Sequence, residues 1–251
     1  MTRNANRPQS QLLVAAGPRA RLSFYPPYLR QPTHRHHQAH ISIVVAGSVR
    51  DVSAQHDEIG FAAALTLRPY ETMHRVEFGP QGALILAVDV EGSTTAATAS
   101  GWTHRNLFRA ERTLLRWVLA EGAPGAGDVG ECIEDLVAGI ETEALRGAPP
   151  AWLIRARERL ANDPTSPRID ALARAAGVHR AHFARAFQHW FKISPSVFRR
   201  RAMLSRAIAA VTSGASLALA AHSAGFADQS HLCRAMRAEI GTTPRGLLRR
   251  G

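Results

Sequence analysis

The sequence predicts an α+β chain in three parts: an all-β N-terminal domain, a helical connector, and an all-α C-terminal domain with two helix-turn-helix units. Three observations predict it. Short apolar runs broken by Gly, Pro and Asp fill residues 20–92, helical periodicity takes over beyond residue 100, and one pattern occurs twice between 172 and 247. The boundaries fall at 1–100, 101–150 and 151–251, the last of them at the turn RGAPP of 146–150.

In the β part, ISIVVAG (41–47), FAAALTLRP (61–69) and ALILAVDVEG (83–92) read as strands. Several short strands with polar turns between them imply a small sandwich or barrel rather than a βαβ unit. After the polar run STTAATASG come two helices, over about 104–121 and 128–146, separated by the breaker GAPGAGD. Their apolar stripes are Leu107, Leu114, Leu115, Val118 and Ile133, Leu136, Val137, Ile140. A stripe of this kind must be buried, either on the β domain or on a second chain.

Composition narrows the function classes. The chain has 251 residues, 45% of them apolar, and no run long enough for a secretory signal or a membrane span, so a cytoplasmic protein is expected. Cys132 and Cys233 form neither a disulfide framework nor a zinc spacing. The net charge of +11 is unevenly spread: residues 1–150 carry −1 and residues 151–251 carry +12. Apart from Lys192 every basic residue is Arg, and a guanidinium suits phosphate and guanine better than an ammonium does. Charge alone fits a solvated basic surface as well as nucleic acid.

The repeat decides between them. LARAAGVHRAHFARAFQHWFKISPSVF (172–198) and AAHSAGFADQSHLCRAMRAEIGTTPRGL (220–247) match Gly177 to Gly225, Phe183 to Leu232, Arg185 to Arg234, Phe187 to Met236 and Pro195 to Pro244. Each copy reads as a short helix, a turn opened by glycine, and a longer helix. Leu172, Ala173 and Ala176 form the inner face of one short helix, as Leu217, Ala220, Ala221 and Ala224 do of the other. Gly177 and Gly225 supply left-handed helix ends, and Asp228 an N-cap. In the first long helix Phe183, Phe187, Trp190 and Phe191 share the inward face, which leaves Arg180, Ala181, Ala184, Arg185 and Gln188 outward. In the second, Leu232, Met236 and Ile240 point in, and Gln229, Ser230, Cys233, Arg234 and Arg237 point out. Small residues joined to Arg and Gln suit entry into a major groove and readout of guanine and adenine edges.

On these residues, 151–251 resemble the DNA-binding domain of the AraC/XylS family, above all in GFADQSHLCRAMRAEIGTTP. The resemblance implies a long helix over about 195–211 that joins the two units. It also implies dimerisation through the connector, promoter DNA as partner and, for an activator, RNA polymerase. Leu232 and Met236 stand where the family usually has Phe, Ala220 where it often has Ile, and Leu247 and Leu248 where Tyr and Arg are common. The second unit is therefore expected to pack more loosely.

HRHHQAHISIVVAG (34–47) and LRPYETMH (67–74) resemble the two halves of a cupin barrel motif, which such regulators carry as a sensor. His34, His36 and His74 then match metal-ligating histidines, and His40 takes the position of a Glu. On one strand, 34, 36 and 40 would share a face. The resemblance implies a sequence-specific transcription regulator, not an enzyme, modulated by a small-molecule effector in the barrel. No cofactor is expected; a divalent metal on the four histidines is the alternative, and with it a metal-dependent cupin enzyme bearing a DNA-binding domain. His56 and His104 are read as surface residues, and Trp102, Trp117 and Trp152 as packing groups.

Overall fold

The computed structural model describes residues 12–16, 20–90, 101–104, 107–120, 130–136 and 148–248. Eight antiparallel strands form one sheet: β1 (Leu12–Ala16), β2 (Ala20–Tyr25), β3 (Arg30–His34), β4 (His40–Ser53), β5 (Asp57–Phe61), β6 (Ala64–Arg68), β7 (His74–Asp89) and β8 (Thr103–His104). The main path runs β1-β2-β7-β4-β6-β8, with β3 added to β7 and β5 to β4. The long strands β4 and β7 pair along their length, from His40 opposite Asp89 to Ser53 opposite His74, and two register shifts near Gly47 bend them.

Strand alternation gives the sheet two different faces. Ile41, Ile43, Leu84, Leu86 and Val88 point toward the helices and join the main core. Their neighbours Ser42, Ile85 and Ala87 point the other way and line a cavity. The expected α+β architecture is therefore present, with an antiparallel β part followed by helices.

Helix α1 (Phe108–Leu119) and helical residues 130–136 (α2) cover the sheet. Leu107, Leu114, Leu115, Val118, Ile133 and Leu136 are all buried in the same core as the strands. Of the two places such a stripe could be buried, the described part of it lies against the chain's own sheet. Val137 and Ile140 lie outside the described residues.

The remaining helices are α3 (Ala151–Asn162), α4 (Ile169–Ala175), α5 (Arg180–Phe191), α6 (Pro195–Thr212), α7 (Leu217–Ala224), α8 (Gln229–Glu239) and α9 (Pro244–Leu248). Their ends follow local chemistry. Ser194, Ser216 and Asp228 cap α6, α7 and α8 by accepting a backbone N–H, and Pro195 opens α6 where no N–H is needed. Gly177 and Gly225 adopt φ of 67° and 90°, the left-handed stops that the repeat requires. Among the described residues no helix is long and apolar enough to cross a membrane.

Helix α6 docks on the back of the sheet. Ser205 Oγ donates to the Gln81 carbonyl at 2.8 Å. Gly47, at φ 84°, makes room for it: a Cβ there would stand 2.7 Å from Ser205 Oγ and 2.0 Å from the Gly82 carbonyl. Met203, Leu204, Ala207 and Ile208 of α6 share the strands' core, and Phe61 of β5 enters the aromatic core of the first helix-turn-helix unit. One continuous interior therefore crosses residue 151, where the sequence places a boundary.

The second unit has a small apolar void bounded by Ala207, Ile208, Val211, Leu232, Met236 and Leu247. It lies beside Leu232, Met236 and Leu247, positions named above as departures from the family, and these side chains are nonetheless fully buried. Leu232→Phe is expected to fill it and stabilise the protein by about 0.5–1 kcal/mol, a rise in Tm of about 1–4 °C by scanning fluorimetry. A lower Tm would show that the surrounding side chains have no room to give.

Candidate nucleic-acid interface and sheet cavity

Helix α5 is pinned by its aromatic face. Phe183, Phe187 and Phe191 are fully buried, with the Phe187 ring 4.8 Å from Phe191 and 5.4 Å from Phe198, both edge-on. Trp190 is half-buried against the same cluster. The opposite face carries Arg180, Ala181, Arg185 and Gln188 exposed and Ala184 half-buried. Helix α8 repeats this arrangement: Leu232, Ala235, Met236 and Ile240 are buried, Gln229, Ser230, Arg234 and Arg237 are exposed, and Cys233 is half-buried. Two helices thus present matching guanidinium and amide groups, and neither Arg185 nor Arg234 has a carboxylate partner among the described residues.

Not all of the C-terminal positive charge is on the surface. Arg201 of α6 is 4% exposed and lies between two carboxylates. It donates to Glu111 of α1 at 3.0 Å and to Glu239 of α8 at 3.1 Å, while Arg200 donates to the other oxygen of Glu239 at 2.8 Å. Burial works against the Arg201 charge, but Glu111 and Glu239 more than offset it and hold its pKa above the usual guanidinium value. Burial pushes the Glu111 carboxyl upward and Arg201 pulls it back only in part. Arg206 of α6 is also buried and donates to Ser166 Oγ. Within FRRRAMLSR a basic run conceals internal ion pairs, and no periodicity signals which arginines turn inward.

Arg157 of α3 ties the first unit to the sheet in a different way. Its guanidinium lies over the rings of Phe61 (4.4 Å) and Phe191 (4.6 Å) and donates to His104 Nε2 at 3.2 Å. His104 is therefore not a surface group, and burial, reinforced by the Arg157 charge, lowers its pKa to about 3. His56 is likewise turned inward, with its Nδ1 3.1 Å from Ser53 Oγ and its Nε2 3.9 Å from Asp51. Isolated histidines look like surface residues in a sequence because nothing local shows that two elements close over them.

His104 yields a pH prediction. Its folded pKa lies below the unfolded value of about 6.5, so its contribution to stability is complete above that value and is lost as pH falls. Between pH 6 and 4 it should account for about 1.4 kcal/mol per pH unit. His104→Gln is expected to flatten the fall of Tm with acidification over this range. Parallel curves for the two proteins would contradict the assignment.

The cavity of about 70 Å³ on the other face of the sheet has room for several waters or a ligand of similar size. Tyr25 stacked on Phe78 (4.2 Å), Trp102 and Ile85 form an apolar wall; His34, His36, His40, His74, Arg21 and Arg68 form the polar end. The strand expected to carry His34, His36 and His40 is broken. β3 ends at His34, 35–39 form a turn, and β4 starts at His40, so a turn rather than strand alternation brings the rings together. Each of His34, His36 and His74 offers a ring nitrogen within 4.8 Å of the others, whereas His40 packs edge-on against His36 at 4.3 Å between centroids and is not part of that trio.

The hydrogen bonds define which nitrogens are free. His34 Nδ1 lies 2.8 Å from the Pro32 carbonyl and must donate, which leaves its Nε2 with a lone pair. His74 Nδ1 lies 3.3 Å from Asp51, itself buried and paired with Arg68, and so directs its Nε2 at His36 Nε2, 3.2 Å away. Burial first, then neighbouring His74 or Arg68, lowers the pKa of both His36 and His74 to about 3, so both are neutral at pH 7. Neutral imidazoles with one ring nitrogen held by a carboxylate or carbonyl suit a divalent first-row metal; His34 and His74 are held in this way, and His36 brings a third ring nitrogen within reach of theirs. Asp51, which completes this arrangement, lies outside the sequence motif and reaches His74 from β4, while Arg68, inside the motif, reaches Asp51 from β6.

Residues 172–250 match the family described as a helix-turn-helix domain. No curated protein matches the sequence. Among solved structures, the C-terminal domain of AraT, a response regulator from Geobacillus stearothermophilus, is 15% identical, covers 41% of this chain and 88% of its own, and has a TM-score of 0.38. An RmlC-like cupin from Shewanella frigidimarina is 14% identical over 31% of this chain and 69% of its own, at a TM-score of 0.27. A Bacillus subtilis oxalate decarboxylase variant is 20% identical over 32% of this chain, at a TM-score of 0.27, and this chain spans only 23% of its length. With the tandem helices, their glycine stops and their paired outward arginines in place, residues 172–250 form a helix-turn-helix domain.

Proposed function

We propose that the protein is a sequence-specific, DNA-binding transcription regulator whose sheet cavity takes a small effector. The observation that carries the reading is the duplicated helix-turn-helix, with Arg185 and Gln188 exposed on one reading helix and Arg234 and Arg237 on the other. Both units pack on the sheet, one through Phe61 and the other through α6, so a change in the sheet reaches both reading helices through contiguous packing. An effector acts only if it binds one arrangement of sheet and helices better than another. No catalytic role is assigned to any residue.

His34, His36 and His74 would hold a divalent metal, with Asp51 orienting His74; a bound metal would supply a positive centre for an anionic effector group. Metal analysis of the purified protein, alone and with His74→Ala, tests this: stoichiometric metal lost in the variant supports it, and none in either leaves an organic effector site. The DNA reading is tested by gel-shift titration of the full chain on fragments upstream of its own gene against scrambled DNA. A preference of about 10³-fold or more is expected at physiological salt, and equal binding to both would overturn it.

A further inference from the structure

Between the two reading helices the chain leaves a cleft lined from three directions. Arg168 directly precedes α4 and Arg180 opens α5 in the first unit; Arg199 and Arg200 come from the connecting helix α6; His231 lies in the first turn of α8. The available carboxylates do not neutralise this set. Asp170 bonds Arg168 at 3.2 Å and lies 3.6 Å from Arg174, and Glu239 holds Arg200 at 2.8 Å. Arg199 bonds only the Ser166 carbonyl, at 3.0 and 2.9 Å, and Arg180 has no carboxylate partner among the described residues. Burial and the charge of Arg168 both push the Arg199 guanidinium down, the state of a cation held near like charge without a counter-ion.

The position of the cleft names the anion. A duplex read by both helices from one side presents successive major grooves about 34 Å apart, and its sugar-phosphate backbone must cross the ground between them. We propose that this cleft is a phosphodiester-binding site that seats the DNA backbone between the two read segments, with Arg168, Arg180 and Arg199 as its contacts. The proposal rests on the DNA-binding reading above and adds to it residues that fix register rather than sequence.

Arg168→Gln and Arg199→Gln in the full chain test it by fluorescence anisotropy on an operator fragment and on scrambled DNA across a salt series. Arg168 is exposed, so its variant keeps the test valid if Arg199→Gln, which gives up the Ser166 bonds, folds poorly. Each variant should bind both DNAs roughly three- to tenfold more weakly at physiological salt, with the ratio between them unchanged and the log–log salt slope shallower by about 1. Wild-type affinity and slope in Arg168→Gln would overturn the site while leaving the DNA reading intact. Failure of the unaltered protein to prefer any DNA would instead remove the reading on which the proposal rests.

Discussion

Arg201→Met is expected to destabilise the protein by about 3–5 kcal/mol, because it leaves Glu111 and Glu239 buried without their counter-charge. The alternative view, that FRRRAML is a surface stripe, predicts a change within about 0.5 kcal/mol. Urea denaturation separates them. The geometry further predicts partial rescue: Glu111→Leu and Glu239→Leu added to Arg201→Met remove the stranded charges, and a buried ion-pair set replaced by apolar groups of similar volume is often neutral or better. A triple variant no more stable than the single one would mean that packing, not charge compensation, sets the loss. The same triad joins the connector helix α1 to the second reading helix α8, so the rescued protein should fold while its response to an effector weakens.

The second large effect is on DNA. Arg185→Ala and Arg234→Ala should each cost about 1–3 kcal/mol at a specific site if they read base edges, and the double variant roughly the sum, since the two lie on separate helices. The loss should fall on the specific site and spare random DNA. An equal loss on both would move these arginines from reading to phosphate contact. Ala181 and Ala184 make a different demand: if α5 enters the groove, their small size lets its backbone come close, and Ala181→Leu should then weaken binding through bulk alone, with charge unchanged.

The C-terminal half was legible because each of its rules is local. Glycine at a left-handed stop, Asp228 at a cap, and an aromatic stripe at helical spacing on α5 all act within one or two turns, and two copies make each other's reading firm. What was not legible depends on elements far apart in the chain. Arg201 looks like its neighbour Arg200 until Glu111 and Glu239 arrive from α1 and α8. The stripe of α1 shows that it must be buried but not against what. His34, His36 and His74 were legible as a set, but the turn at 35–39 that brings them together, and Asp51 behind His74, were not, because both depend on where β3 and β4 meet β7. Sequence boundaries at residue 151 follow composition, whereas the core follows contact, and α6 carries that core across.

The central claim is that two matched helices read neighbouring segments of one duplex. Footprinting of the protein bound across genomic DNA tests it most directly. The account predicts protected sites with two short sequence elements centred about 10 base pairs apart, one losing definition in Arg185→Ala and the other in Arg234→Ala. Protection without a shared sequence, or one element erased alike by either substitution, would contradict it.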